Sequence, residues 1–220
     1  MLGKYPLTIN LHGLTDFPSD CSIDTIQNQV IPFFKNHLQI DNELSLTIVS
    51  RGYLPNGGGQ VKVVIPTIRK FPKINLPDKG YIKRVRGIAS GSLLSTSILN
   101  NIKDTAKSQL LEYLPDVWIH SDYYKGSKAG NSPGYSLSLL AESTTGATIS
   151  FDACHQGETP QQLAKKAVSC LLDEIEHSGV ISTNYAWLVL TAMALSEKKT
   201  STIKLGRVSA FTVECVRVIR

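Results

Sequence analysis

A turn rich in glycine separates two runs of alternating apolar and polar residues in the first third of the chain. The runs are residues 44–49 and 60–65, and the turn is Pro55-Asn56-Gly57-Gly58-Gly59. Alternation of period two is the pattern of a β-strand, and glycine with proline is typical of a tight turn between strands. The segment therefore predicts a β-hairpin whose sheet must be covered by other elements.

A helix is predicted between this hairpin and an earlier strand. Residues 7–12 alternate as a strand, and apolar side chains recur at helical spacing from Ile23 to Phe34. Ser22 is a suitable N-cap for that helix, while Pro32 is expected to kink it or end it early. The first part of the chain is therefore predicted to be a β-α-β-β unit.

A second unit follows a proline-containing connection at residues 66–80. Its predicted strands are residues 83–89, 116–122, 135–142 and 147–152, and its predicted helices are residues 95–112 and 160–177. The remainder predicts an apolar helix at 183–195, a short strand at 203–205 and an amphipathic helix at 209–220. Elements in this order predict an α+β fold in which helices cover the sheets.

Charge and cysteine content narrow the class of protein. The net charge is +5 on 220 residues, which favours polyanionic partners but also suits a charge that only maintains solubility. The four cysteines form no C-x-x-C pair and fit neither a zinc site nor a disulfide framework. No apolar run approaches the ~18 residues that span a bilayer, and the first residues are unlike a signal peptide. We expect an intracellular protein with no metal site and no membrane partner.

Arg51 and the glycines Gly57, Gly58 and Gly59 form the first candidate binding site. Three consecutive glycines cost backbone entropy, so packing alone would not select them. Their backbone N–H groups can approach a ligand or another chain closely, and the nearby Arg51 favours an anion. A plain hairpin turn without a ligand is the alternative.

A basic stretch forms the second candidate site. Between Arg69 and Arg86 the cations, which include Lys83 and Arg84, are opposed only by Asp78. Such a stretch suits contact with an RNA backbone or with an acidic partner, and a merely solvated face is the alternative.

Lys125 and Lys128 form a third candidate surface, beside the glycine-containing loop at residues 130–134. Acid–base chemistry has weaker support. Asp152, His155 and Glu158 lie together after a predicted strand, but no nucleophile accompanies them, so we expect a solvated loop there.

Four segments carry a resemblance to a known family. They are RGYLPNGGGQV at residues 51–61, KRVRGIA at 83–89, GNSPGY at 130–135 and LGRVS at 205–209. The first resembles the signature of the RNA 3′-terminal phosphate cyclase family without a gap, and the others resemble segments of its non-cyclising, cyclase-like branch. The resemblance spans essentially the whole chain.

The resemblance implies a fold of repeated β-α-β-β core units with a smaller β/α domain inserted. On this basis we expect a core unit at residues 1–80, the inserted domain at 81–178 and C-terminal core helices at 179–220. It also implies that an upstream core unit is missing from the N-terminus.

The family comparison further implies that this chain is not a cyclase. Cyclases of this family form a covalent histidine–AMP intermediate, and Val208 occupies the place expected for that histidine. Valine has no lone pair to attack ATP, and no histidine follows His177. No catalytic residue and no cofactor are therefore expected. An ATP-dependent RNA 3′-terminal phosphate cyclase, with the nucleophile supplied by a shifted alignment or a missing part, is the alternative. A third and more distant possibility is an endonuclease that acts on the rRNA precursor, although the sequence offers no metal cluster or acid–base pair for it.

The resemblance implies a role in ribosome biogenesis. The cyclase-like branch acts in assembly of the small-subunit processome and in early cleavage of the 18S pre-rRNA, together with a ribosome-biogenesis GTPase. A location in the nucleus, and within it the nucleolus, is expected from the same resemblance.

Overall fold

Nine strands and six α-helices make up the part of the chain that the computed structural model describes, residues 2–18, 20–38, 43–177, 179–196 and 200–219. In chain order the elements are β1 (Leu7–Gly13), α1 (Ile23–Thr25), α2 (Ile31–Leu38), β2 (Ser45–Ser50), β3 (Gly59–Ile65), β4 (Asn75–Leu76), β5 (Ile82–Ser92), α3 (Thr96–Leu110), β6 (Val117–Tyr124), β7 (Gly134–Ser143), β8 (Thr148–Cys154), α4 (Pro160–His177), α5 (Ala186–Ala194), β9 (Thr202–Ile203) and α6 (Ala210–Ile219).

The first three strands form one antiparallel sheet in the order β1-β3-β2. Its alternation places Leu46 and Val61 on the face that packs against Ile23, and this small cluster is buried. The predicted β-α-β-β unit is therefore present, and the period-two pattern gives the sheet an apolar face against which the intervening helix packs.

The helix over this sheet is irregular where proline was expected to disturb it. Ser22 caps α1 by accepting the N–H of Thr25 at 3.1 Å, as predicted. A π-helical segment, Ile26–Val30, then precedes α2, which contains Pro32 and continues to Leu38. Proline lacks the N–H that would bond one turn back, so the interruption takes the form of a π segment rather than an early end.

The second sheet has four strands in the order β6-β5-β7-β8. Strand β5 is parallel to β6 and antiparallel to β7, which in turn is antiparallel to β8. Helices α3 and α4 cover one face, and their Leu99, Ile102, Leu163 and Leu171 are almost completely inaccessible to solvent. The other face carries buried serines and points towards the first unit. Polar groups therefore lie in the region between the two sheets, which we call the joint.

A third apolar cluster is formed by residues of α2, of the connection after β3 and of α5. Val189 of α5 and Tyr185, which immediately precedes that helix, are buried in one cluster with Phe34 of α2 and Ile74 of the connection. That connection, expected to be loop-like, contains β4, which pairs in parallel with β9. Two residues are too few for alternation to show in a sequence, so only the pairing reveals this strand.

Candidate functional site

A buried arginine links three segments at the joint between the sheets. Arg51, which follows β2, donates from Nη1 to Asp16 at 3.1 Å and from Nη2 to Asp24 at 2.5 Å. The Arg51 guanidinium carbon also lies 5.1 Å from the centre of the Tyr124 ring at the end of β6. The side chain of Arg51 has no accessible surface. A hydrogen-bonded ion pair of this kind is the arrangement that allows charges to be buried.

The prediction that Arg51 binds an external anion is therefore wrong. Its charge is neutralised by Asp16 from the loop after β1 and Asp24 from the first turn of α1. The sequence places these carboxylates 35 and 27 residues away from Arg51, so only the folded chain shows that they converge.

One cation between two carboxylates leaves this cluster with an excess of negative charge. Burial raises the pKa of the Asp24 carboxyl to about 6, with Asp16 adding to the rise and Arg51 opposing it. Within the described residues, Asp16 Oδ1, Asp24 Oδ2 and Arg51 Nε have no hydrogen-bond partner. The cluster therefore binds a proton more readily than free aspartate does.

This raised pKa predicts a pH-dependent contribution to stability. Native Asp24 binds its proton at higher pH than unfolded Asp24, so its contribution increases as pH falls from 7 towards 5. We expect the free energy of unfolding of the unsubstituted chain to gain about 1 kcal/mol relative to Asp24→Asn over this interval. Urea denaturation of both proteins at pH 7, 6 and 5 measures it. Two stability curves that stay parallel would contradict the raised pKa.

The glycine turn contacts a second loop of the same chain. Gly57 accepts the N–H of Asn131 at 2.9 Å, and the Arg51 N–H donates to the Lys128 carbonyl at 3.0 Å. Gly58 has a φ of +81°, a conformation that glycine adopts without strain. The expected close backbone approach is present, and it brings Gly57, Gly58 and the buried Gly59 against other segments of the protein itself.

Tyr53, two residues after Arg51, connects the joint to the second sheet by hydrogen bonds. Its hydroxyl lies 3.0 Å from Ser90 Oγ of β5 and 3.2 Å from Ser136 Oγ of β7. Burial is the main cause that raises the pKa of Tyr53 above its ordinary value, so the phenol stays neutral. A neutral, hydrogen-bonded phenol in this position fixes the two sheets relative to each other.

Asp152 lies in the joint and not in the solvated loop that we expected. From β8 it accepts the Ser22 N–H and hydroxyl, each at 2.9 Å, and the Thr25 hydroxyl at 2.7 Å. Burial raises its pKa, and these hydrogen bonds oppose the rise. A neighbouring cavity of about 390 Å³ is lined by Asp152 together with Cys154 and Lys166. Because Asp152 accepts three hydrogen bonds from the α1 cap, its role in the structure is to hold that helix.

Two cations of the basic stretch are paired with carboxylates. Arg84 donates to Glu142 Oε2 from Nε at 2.8 Å and from Nη2 at 2.6 Å. Arg86 donates to the two Asp116 oxygens at 2.7 and 2.9 Å. Both arginines are therefore engaged with carboxylates at the surface, and their contact with phosphate or a partner stays a prediction. Lys83, on the same strand β5 and next to Arg84, is exposed.

Lys125 and Lys128 are exposed beside the joint. Lys125 precedes a short 3-10 turn, Gly126–Lys128, and Lys128 is its last residue, whose carbonyl is the acceptor for the Arg51 N–H. Neither lysine forms an ion pair with a residue in the described ranges. Of the candidate residues, Lys83, Lys125 and Lys128 are the exposed ones that form no ion pair within the described ranges.

Val208 is 47% exposed on the segment between β9 and α6. No three His, Cys, Asp or Glu side chains among the described residues are grouped so as to hold a metal ion. In the same ranges, no helix has the length and apolar character needed to cross a lipid bilayer.

Asp16, Asp24 and Tyr124 were missed as members of the site. Asp24 resembles an ordinary acidic residue in the first turn of a helix, which is favourable there in any protein. Asp16 and Tyr124 belong to no motif. Their role depends on contacts between segments distant in sequence.

The fold and the joint define an α+β protein in which a β-α-β-β unit is followed by an inserted-type β-α-β-β-β-α unit. Residues 77–176 match the family described as RNA 3′-terminal phosphate cyclase (RTC), insert domain. The probable RNA 3′-terminal phosphate cyclase-like protein of Dictyostelium discoideum is 37% identical over 99% of this chain. The rRNA processing protein rcl1 of Schizosaccharomyces pombe is 34% identical over 94%, and the human RNA 3′-terminal phosphate cyclase-like protein is 36% identical over 99%.

The chain is similar over nearly its whole length to the cyclase-like proteins of the RNA 3′-terminal phosphate cyclase family, and residues 77–176 match the insert domain of that family. It covers between 58% and 62% of the length of these three relatives. The family resemblance predicted from the four sequence segments is thereby confirmed.

Proposed function

We propose that this chain is part of a ribosome-biogenesis factor that has no cyclase activity and acts in processing of the 18S pre-rRNA. The observation that carries the proposal is the similarity, over nearly the whole chain, to proteins named cyclase-like and to one named as an rRNA processing protein. Assembly of the small-subunit processome in the nucleolus, with a ribosome-biogenesis GTPase as partner, is part of the same proposal.

The absence of a histidine at the expected place supports the non-catalytic part of the proposal. Val208 stands where the adenylylated histidine of a cyclase is expected, and the sequence contains no histidine after His177. The buried acids of the joint cannot replace it, because Asp16 and Asp24 are held by Arg51. A carboxylate engaged in this way is a poor nucleophile, and its role is to hold segments together.

Incubation with ATP labelled at the α-phosphate tests this part directly. We expect no covalent AMP on the protein after denaturing electrophoresis, because no side chain at position 208 can form the phosphoramidate. An authentic RNA 3′-terminal phosphate cyclase provides the positive control. A labelled band for this chain, lost on chemical treatment that cleaves phosphoramidates, would instead support the ATP-dependent cyclase.

RNA contact is proposed at the exposed lysines of the joint. Lys125 and Lys128 are free to meet phosphates, whereas Arg84 and Arg86 would first have to leave Glu142 and Asp116. Binding through two lysines should depend on salt through the release of counterions.

The double variant Lys125→Gln/Lys128→Gln is expected to bind single-stranded RNA more weakly at every sequence tested. The slope of log affinity against log salt should fall by about one to two units. Lys4→Gln/Lys62→Gln removes two exposed lysines elsewhere and serves as the matched control. Equal slopes for the two double variants would show that the lysines of the joint have no special part in RNA binding.

A further inference from the structure

A groove runs along the free edge of the second sheet. It has a volume of about 420 Å³ and lies between one face of α3 and four consecutive residues of β6, Trp118 to Ser121. Side chains of consecutive strand residues point to opposite faces, so a groove lined by four in a row must run along the backbone edge. Strand β6 is the outer strand of its sheet and pairs only with β5 among the described residues.

The backbone direction of β6 shows which groups face this groove. The Asp116 carbonyl accepts the Val85 N–H at 2.9 Å, and the Tyr124 carbonyl accepts the Leu93 N–H at 3.4 Å. Even-numbered residues of β6 therefore turn their backbone towards β5. Because backbone groups alternate in direction along a strand, Ile119 and Ser121 turn theirs to the groove.

This edge lacks the usual features that prevent pairing with another chain. Proteins protect a free edge with lysine, proline, a bulge or a very short strand. Strand β6 is eight residues long, contains neither lysine nor proline, and pairs with β5 without a shift in register. A regular edge with a helix beside it is the geometry in which peptides bind by strand addition.

The charge beside the edge indicates the kind of peptide. Lys103 and Lys107 lie one helical turn apart on the α3 face that lines the groove, with Asp104 as the only acid lining it among the described residues. Neither lysine forms an ion pair in the described part of the chain. Trp118, 64% exposed, lies at the edge as an apolar surface for a peptide side chain.

We propose that this groove binds an extended acidic peptide segment of a partner protein, which adds to β6 as a fifth strand. The outward backbone groups of Ile119 and Ser121 hydrogen-bond to the peptide, and Lys103 and Lys107 contact its acidic side chains. This inference does not rest on the proposed function, because the groove contains none of the joint residues.

A peptide is favoured over RNA by the form of the groove. Strand addition uses the unpaired backbone of β6, and nucleic acid has no repeating donor and acceptor pattern that matches a strand edge. RNA would depend on stacking against Trp118 and on the lysines alone. A substitution that removes a backbone N–H of β6 should therefore weaken the binding of a peptide but not the binding of RNA.

The substitution Ser121→Pro tests the proposal in the full 220-residue chain. Proline removes the outward N–H, and it is tolerated on an edge strand where that N–H does not pair within the sheet. The probe is a fluorescent decapeptide of alternating threonine and glutamate, and Ser121→Ala is the matched control. We expect Ser121→Pro to weaken binding about tenfold and Ser121→Ala to leave it unchanged, as the loss of one peptide hydrogen bond requires.

A charge-reversal variant, a basic peptide and an RNA probe provide further tests of the proposal. Lys103→Glu/Lys107→Glu should also weaken binding of this peptide, and a decapeptide of alternating threonine and lysine should bind the unsubstituted chain about tenfold more weakly. Equal binding by Ser121→Pro and Ser121→Ala would overturn the proposal. The proposal would also be overturned if a decauridylate RNA bound more tightly than the peptide, and if its binding were lost in Trp118→Ala but not in Ser121→Pro.

Hydrogen exchange gives a measurement that needs no variant. Saturating acidic peptide should slow amide exchange at Ile119 and Ser121, whose N–H groups face the groove, relative to the chain alone. Unchanged exchange at both amides, with the peptide bound, would place the peptide elsewhere and overturn the inference.

Discussion

Replacement of Arg51 by methionine is expected to lower the free energy of unfolding by about 3–5 kcal/mol. Methionine replaces the aliphatic part of the arginine side chain but leaves Asp16 and Asp24 buried without their cation. The cost arises mainly from this uncompensated negative charge, because desolvated carboxylates need a partner. Denaturation by urea at pH 7, followed by circular dichroism, measures the loss.

The same substitution at a surface ion pair is the control. The Arg84 side chain is 41% exposed in its pair with Glu142, so Arg84→Met should cost no more than about 1 kcal/mol. Adding Asp16→Asn and Asp24→Asn to Arg51→Met should recover part of the lost stability by removing the unpaired charges. Similar losses for Arg51→Met and Arg84→Met would contradict a structural role for the buried network.

Replacement of Gly130 by alanine is expected to destabilise the joint by about 3 kcal/mol, through overpacking against backbone. A Cβ at this position would lie 2.2 Å from the Arg51 carbonyl oxygen and 2.5 Å from that of Gly57. Neither atom belongs to a flexible side chain, so the two loops would have to separate. Thermal unfolding monitored by circular dichroism provides the measurement.

Gly3→Ala serves as the control for this variant. The nearest atom to a Cβ at Gly3 is the Tyr5 carbonyl oxygen at 3.8 Å, an ordinary contact distance. We expect its midpoint of unfolding to match that of the unsubstituted chain. If Gly130→Ala also left the midpoint unchanged, the contact between the two glycine-containing loops would not hold the sheets together.

Most secondary structure was predictable because its signals are local. Ser22 and Ser95 cap α1 and α3 as expected, and the Thr159 hydroxyl accepts the Gln162 N–H at the start of α4. Alternation located each strand longer than two residues. These patterns depend on neighbours within a turn or a few strand residues, so they survive in the sequence without knowledge of the fold.

The candidate site was only partly predictable. The residues around Arg51 and the loop at Gly130 were recognised as separate motifs, but their contact with each other was not. Arg84 and Glu142 are 58 residues apart, and Arg86 and Asp116 are 30 apart. A charge that seems free in a basic stretch can be neutralised by a distant strand, and no local pattern records that pairing.

The sequence by itself determined the order of elements, the resemblance to cyclase-like proteins and the presence of valine at position 208. Each depends on which residues occur and in what order, so folding cannot change it. Tertiary structure alone decided that Arg51 is a buried structural cation, that Arg84 and Arg86 are paired, and that β6 has a free edge. Burial and pairing are properties of segments brought together in space, where desolvation and nearby charge decide what each side chain can do.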